Sequence, residues 1–149
     1  MVYFDGLLFM TRSVVTWRFL HMGAANAAQC LECGKTFTVS HGGGFFFHLL
    51  RCGECGRTRA IGFDELGDLH LRYLKGSTTP HCVASAKHDE LVREYVDVEP
   101  ISATDYWAGV EALAGWCECG GKITLDAPAR CPACRSLQFE EGPELIRYD

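Results

Sequence analysis

The chain has 149 residues and a formal charge of −5, with 48% hydrophobic and 22% charged residues. That length suits one ordinary domain or a few very small ones, which below ~70 residues need a metal or disulfides to stay folded. No apolar run reaches the ~18 residues of a membrane span, and acidic chains meet the phosphate backbone only through locally basic lobes.

Residues 1–29 form an N-terminal extension with two readings. Leu7, Met10, Val14 and Trp17 make a helical stripe, whereas Val15, Trp17 and Phe19 alternate like a strand. Met22 is a second candidate start. Asp5 precedes the apolar run, no basic leading region exists, and Arg12 and Arg18 interrupt what would be a signal core. We therefore expect a reduced, cytoplasmic protein.

Eight of the nine cysteines fall into close pairs: Cys30/Cys33, Cys52/Cys55, Cys117/Cys119 and Cys131/Cys134. Such spacing places two thiolates on one turn facing one ion, and suits a bridge between them poorly. Between the first two pairs, "KTFTVS" alternates Phe37 and Val39 with polar residues, as a half-buried strand does. Three glycines and "FFFHLLR" follow. The segment "HGGG" also matches an esterase oxyanion loop, but no Gly-x-Ser-x-Gly elbow accompanies it. The glycines are read instead as a turn between two strands.

At "CLECG" and "CGECG" the chain resembles the zinc-ribbon class, in which a metal is held by two cysteine knuckles on short antiparallel hairpins. The resemblance implies a first ribbon over residues 30–59, with zinc on Cys30, Cys33, Cys52 and Cys55. The same knuckles are similar to those of rubredoxins, so iron in an electron-transfer module is an alternative. Glycine after each of these knuckles suits a turn that aims amide hydrogens at the sulfurs.

The middle segment, residues 60–115, reads as helical. "DELGDLHLRYLKG" puts Leu66, Leu69, Tyr73, His70 and Leu74 on one face, with Asp64 as N-cap and Gly76 as terminator. "STTPHC" is a loop. Residues about 85–95 suggest an amphipathic helix burying Leu91, Val92 and Tyr95. In "ISATDYWAGVEALAG", Ser102 and Asp105 form a capping box, Ile101 and Tyr106 a hydrophobic staple, and Gly115 an end.

Residues 116–139 resemble a second, shorter ribbon, with zinc on Cys117, Cys119, Cys131 and Cys134 and a hairpin around Ile123 and Leu125. Residues 140–149 read as a loose acidic tail. The expected architecture is small α+β, with two zinc ribbons flanking a helical middle.

Four cysteines close a zinc site without an open position for water, so both ions are expected to be structural. No complete catalytic constellation is found. Cys82, beside His81 and near His88, reads as a buried small hydrophobe and not as a nucleophile. His41, Phe45, Phe46, Phe47 and His48 surround the glycine turn and suggest an edge for a protein partner. The expected function is a non-enzymatic adaptor or accessory subunit. A nucleic-acid-associated ribbon using Lys35, Arg51, Arg57 and Arg59 is the alternative, besides the iron module.

Overall fold

The computed structural model describes residues 23–78 and 85–148. Its fold is α+β, with two three-stranded antiparallel sheets and four helices. In chain order these are β1 (Gly23–Cys30), β2 (Thr36–His41), β3 (Phe47–Cys52), β4 (Thr58–Gly62), α1 (Phe63–Leu66), α2 (Asp68–Gly76), α3 (Ala86–Tyr95), α4 (Ala103–Ala114), β5 (Ile123–Thr124) and β6 (Phe139–Tyr148).

One sheet has the order β2-β1-β6, the other β4-β3-β5. This corrects the expected hairpin between "KTFTVS" and "FFFHLLR". Thr36–His41 pairs backwards with β1, from Gln29↔Thr36 to Ala24↔His41. Phe47–Cys52 pairs forwards with β4, from Phe47↔Gly62 to Arg51↔Thr58. The physical reason is that each cysteine knuckle reverses the chain, so the strands on its two sides become neighbours. The glycine segment then connects the sheets, with Gly42 at φ 68°.

Both sheets follow one plan. A hairpin carries a knuckle at its tip, and a third strand from later in the chain joins the hairpin's first strand on its other side. The β3–β4–β5 unit therefore lies, in sequence, inside the β1–β2–β6 unit, and the helices lie inside the former.

β1 was unreadable as a strand because "GAANAAQC" has low intrinsic strand preference. Pairing on both edges holds it there. The last ten-residue strand also corrects an expectation, since the tail is not loose. Its ladder to β1 skips between Ala25 and Asn26 and again between Asn26 and Ala28; the second skip accommodates Pro143, which cannot donate to a ladder. Phe139 meets Phe37 edge-on at 5.4 Å, and Tyr148 stacks on Phe47 at 5.9 Å.

The main core gathers Leu50, Ile61, Leu66, Tyr106, Val110, Ala114 and Ile123 with Cys52 and Cys117. It belongs to the second sheet and the helices. His48, Leu50 and Cys52 alternate inward along β3, as strand geometry requires. α4 starts at Ser102, whose Oγ accepts from the Asp105 amide at 3.0 Å, and ends at Gly115 with φ 67°, both as the sequence indicates. The first helical stretch is different: Gly67 splits it into α1 and α2, and Gly62, not Asp64, precedes α1. In α3 Val92 is buried as expected, but Leu91 and Tyr95 are exposed and Asp89 takes the inward position. The loop "STTPHC", from Thr79 on, and with it His81 and Cys82, falls outside the described residues.

Candidate metal centres

Four knuckles arise from one local design. In each, the residue directly after the second cysteine has positive φ: Gly34 at 74°, Gly56 at 76°, Gly120 at 87° and Arg135 at 63°. Its amide donates to the carbonyl of the first cysteine, as in Gly34 to Cys30 at 3.0 Å and Arg135 to Cys131 at 2.8 Å. The first cysteine's amide donates forward across the turn, for example Cys52 to Arg57 at 2.9 Å and Cys131 to Ser136 at 2.9 Å. The Cys117 knuckle closes one residue sooner, with Cys117 donating to Gly121 at 2.8 Å, because it contains one residue fewer.

The knuckles combine in a way that corrects the expected ligand sets. Cys30 and Cys33 meet Cys131 and Cys134, and Cys52 and Cys55 meet Cys117 and Cys119. Neither the set Cys30, Cys33, Cys52, Cys55 nor the set Cys117, Cys119, Cys131, Cys134 forms. The topology is the cause: Cys117 and Cys119 lie just before β5, which pairs with β3, whereas Cys131 and Cys134 lead into β6, which pairs with β1. Residues 125–130 cross from one sheet to the other.

Within each cluster the ligand atoms lie within 4.8 Å of one another. Cys30 Sγ is 3.5 Å from Cys134 Sγ and Cys33 Sγ 3.6 Å from Cys131 Sγ; Cys52–Cys119 and Cys55–Cys117 measure 3.5 and 3.7 Å. A tetrahedron with metal–sulfur bonds of ~2.3 Å has edges of about 3.8 Å. Both clusters therefore fit a tetrahedral ion.

Electrostatics lead to the same fit. Burial opposes ionisation of Cys52, but amides of Cys55 and Glu54 and the neighbouring thiols bring it down to about 6. At Cys131 the Cys134 amide dominates and lowers the thiol to about 7. Their partners move the other way. The Gly121 amide pulls Cys119 down, yet the Cys52 and Cys55 sulfurs push it up to about 11. Likewise the Ser136 amide favours the Cys134 thiolate, while burial and three nearby sulfurs raise it to about 12. Four thiols this close do not all ionise by themselves, and a dication supplies the missing attraction.

The clusters differ in surroundings. Cys52, Cys55 and Cys117 pack in or against the main core, and a Cβ added at Gly121 would lie 2.5 Å from Cys52 Sγ. Cys30 and Cys131 are buried but lie outside that core, while Cys33 and Cys134 are exposed.

The residues expected to form a partner edge are dispersed. Phe46 is 75% exposed, and Phe45 is half-buried. Phe47 lies against Tyr148. His41 Nε2 sits 2.8 Å from Glu141. His48 is buried, with Nε2 2.7 Å from the Tyr106 hydroxyl, whose other neighbour is His70 Nδ1 at 2.8 Å. This buried His–Tyr–His arrangement was missed in the sequence, although His70 was placed on an apolar helix face and Tyr106 in a hydrophobic staple.

Of the basic residues of the first lobe, Lys35 is exposed, and the three arginines have partners within the chain. Arg51 donates to the carbonyls of Ser40 and Ala127. Arg57 pairs with Glu118 at 2.6 Å, and Arg59 with Glu65 at 3.1 Å and with the Ala114 carbonyl.

Residues 26–140 match the family model of DUF8255, a domain of unknown function. The chain belongs to that family. The matched region contains all eight clustered cysteines and runs from β1 into β6. No curated protein and no solved structure matches the chain. Among the described residues, no helix is long and apolar enough to cross a membrane.

Proposed function

We propose that the chain is a non-enzymatic zinc protein, built as two interleaved zinc ribbons and working as an adaptor or accessory subunit on a protein partner in the reducing cytoplasm. The observation that carries this reading is the pair of complete four-cysteine sets, each able to close around one ion. A tetrathiolate zinc has no open position for a substrate or water, so it contributes folding energy and not chemistry. Thiolate ligation also requires reduced cysteines, in keeping with the cytoplasm. The internal pairing of Arg51, Arg57 and Arg59 favours a protein partner over a phosphate backbone. Phe46 and Trp116, 75% and 72% exposed, are the aromatic groups offered outward near the two sheets.

Elemental analysis of the purified chain tests the metal reading, with two zinc per chain and a colourless solution expected. One equivalent, or a coloured iron tetrathiolate, would overturn it. Capture of partners from native cells tests the adaptor reading. Phe46→Ala and Trp116→Ala are expected to keep both zinc ions and to weaken retention by ~1–3 kcal/mol, as loss of an aromatic anchor does. Retention that is unchanged in both variants, or that falls steeply with salt as phosphate contacts do, would reject it.

A further inference from the structure

The two clusters present their sulfurs to solvent unequally. In the cluster of Cys30, Cys33, Cys131 and Cys134, each knuckle contributes one buried and one exposed cysteine. The exposed sulfur of each knuckle lies beside the buried sulfur of the other: Cys134 is 3.5 Å from Cys30, and Cys33 is 3.6 Å from Cys131. In the other cluster only Cys119 is exposed, and moving Cys52 or Cys117 means opening the main core.

We infer that the Cys30/Cys33/Cys131/Cys134 cluster is an oxidisable site, at which hydrogen peroxide converts the metal-bound thiolates to a disulfide between the two knuckles and releases the ion. This rests on the zinc reading above. The exposed Cys134 or Cys33 thiolate attacks one peroxide oxygen; the O–O bond breaks, a sulfenic acid forms and hydroxide leaves. The buried thiolate of the opposite knuckle then attacks that sulfur. The S–S bond forms and a second hydroxide departs. Two thiolates have given two electrons to one peroxide. The zinc, left with two thiolate ligands, passes to water.

The inequality of the clusters follows from packing. At the oxidisable cluster, two sulfurs need to close from 3.5 or 3.6 Å to a bond of ~2.05 Å, and none of its cysteines belongs to the main core. At the other, the same movement would pull Cys52 or Cys117 away from Leu50 and Ile123. Because the bond spans the knuckles, β6 stays tied to the β1–β2 hairpin after the ion has gone, and a thiol reductant with zinc rebuilds the site.

The test uses the full zinc-loaded chain, with metal content measured first. Hydrogen peroxide is added in substoichiometric steps while free zinc is followed with a chromogenic chelator, and the cysteines are mapped by alkylation and mass spectrometry. The expected result is release of one zinc per chain before the second. It should coincide with a disulfide joining Cys30 to Cys134 or Cys33 to Cys131, with Cys52, Cys55, Cys117 and Cys119 unoxidised, and reductant plus zinc should restore both ions. Simultaneous loss of both ions, first oxidation at Cys119, or bonds only within a knuckle would overturn the inference. A chain holding no metal at the outset would overturn the zinc reading, and this inference with it.

Discussion

The two cysteine clusters share their knuckles and differ in what stands behind them. Behind Cys52, Cys55, Cys117 and Cys119 lies the main core, with β3, β4, β5 and the helices around Leu50, Ile61, Tyr106 and Val110. Behind Cys30, Cys33, Cys131 and Cys134 lies a three-stranded sheet whose buried side chains are Ala25, Ala28 and Val39. Local ligand geometry is therefore no guide to how much of the fold depends on each ion. The first cluster is coupled to a domain, and the second joins two distant parts of the chain.

The largest break in this comparison comes from removing one ligand on each side. A structural zinc supplies ~10–16 kcal/mol of apparent binding free energy, against a net domain stability of ~5–15 kcal/mol. Cys117→Ala should abolish cooperative unfolding and most helical circular dichroism. Cys131→Ala should lose one metal equivalent and the protection of β1 and β6 amides, while the helices persist. Equal collapse in both variants would show that the units are one cooperative whole.

Next in size is the buried hydroxyl of Tyr106. It lies within hydrogen-bond distance of one ring nitrogen of His48 and one of His70. Tyr106→Phe leaves two buried ring nitrogens without that partner and should destabilise by ~1–3 kcal/mol. Tyr148→Phe removes a bond to the His41 carbonyl from a half-exposed position on the smaller sheet, and should lose less than ~1 kcal/mol. Urea midpoints decide between these, and equal losses would erase the distinction.

Ionisation of Tyr106 sharpens the same point. Burial, and then the neighbouring Tyr73, raise its pKa well above the ordinary value. A raised folded pKa contributes stability that is fully present below ~10, where the unfolded phenol titrates, and is lost as pH climbs beyond it. The main core should weaken by at most ~1.4 kcal/mol per pH unit there. Helical circular dichroism and phenolate absorbance should change together. Tyr106→Phe should flatten the dependence, and an unaltered slope would remove Tyr106 as its source.

Much of this was legible residue by residue. The cysteine pairs, the glycine-bearing turns after Cys33 and Cys55, and the Ser102–Asp105 cap follow from short-range spacing, which a sequence displays directly. What was hidden depends on partners far along the chain. Nothing near Cys30 says that its partners lie a hundred residues away and not at Cys52. The strand character of "GAANAAQC" and "EEGPELIRY" likewise comes from mutual pairing, since neither segment has the apolar alternation that announces a strand alone. The knuckle turns and the ends of α4 were read correctly, but the glycine segment was taken for a hairpin tip and pairing across it was assumed, and both ligand sets inherited that assumption.

The smallest expected effect lies in the fourth knuckle. Gly34, Gly56 and Gly120 occupy the left-handed position in three knuckles, but Arg135 occupies it in the last with φ 63°. A side chain there costs ~1–2 kcal/mol relative to glycine, partly offset by the ~0.4–1 kcal/mol of extra chain entropy that glycine gives the unfolded state. The contacts of the position itself use backbone: the amide donates to the Cys131 carbonyl at 2.8 Å, and the carbonyl accepts from Arg130 Nη1 at 3.2 Å. Arg135→Gly keeps both. It should therefore stabilise the smaller unit by up to about 1 kcal/mol and strengthen retention of a metal ion there under a competing chelator. The ion at Cys52, Cys55, Cys117 and Cys119 should be unaffected, because Arg135 belongs to the other knuckle pair. A weaker hold on the ion of Cys30, Cys33, Cys131 and Cys134 would mean that the Arg135 side chain contributes more than its backbone strain removes.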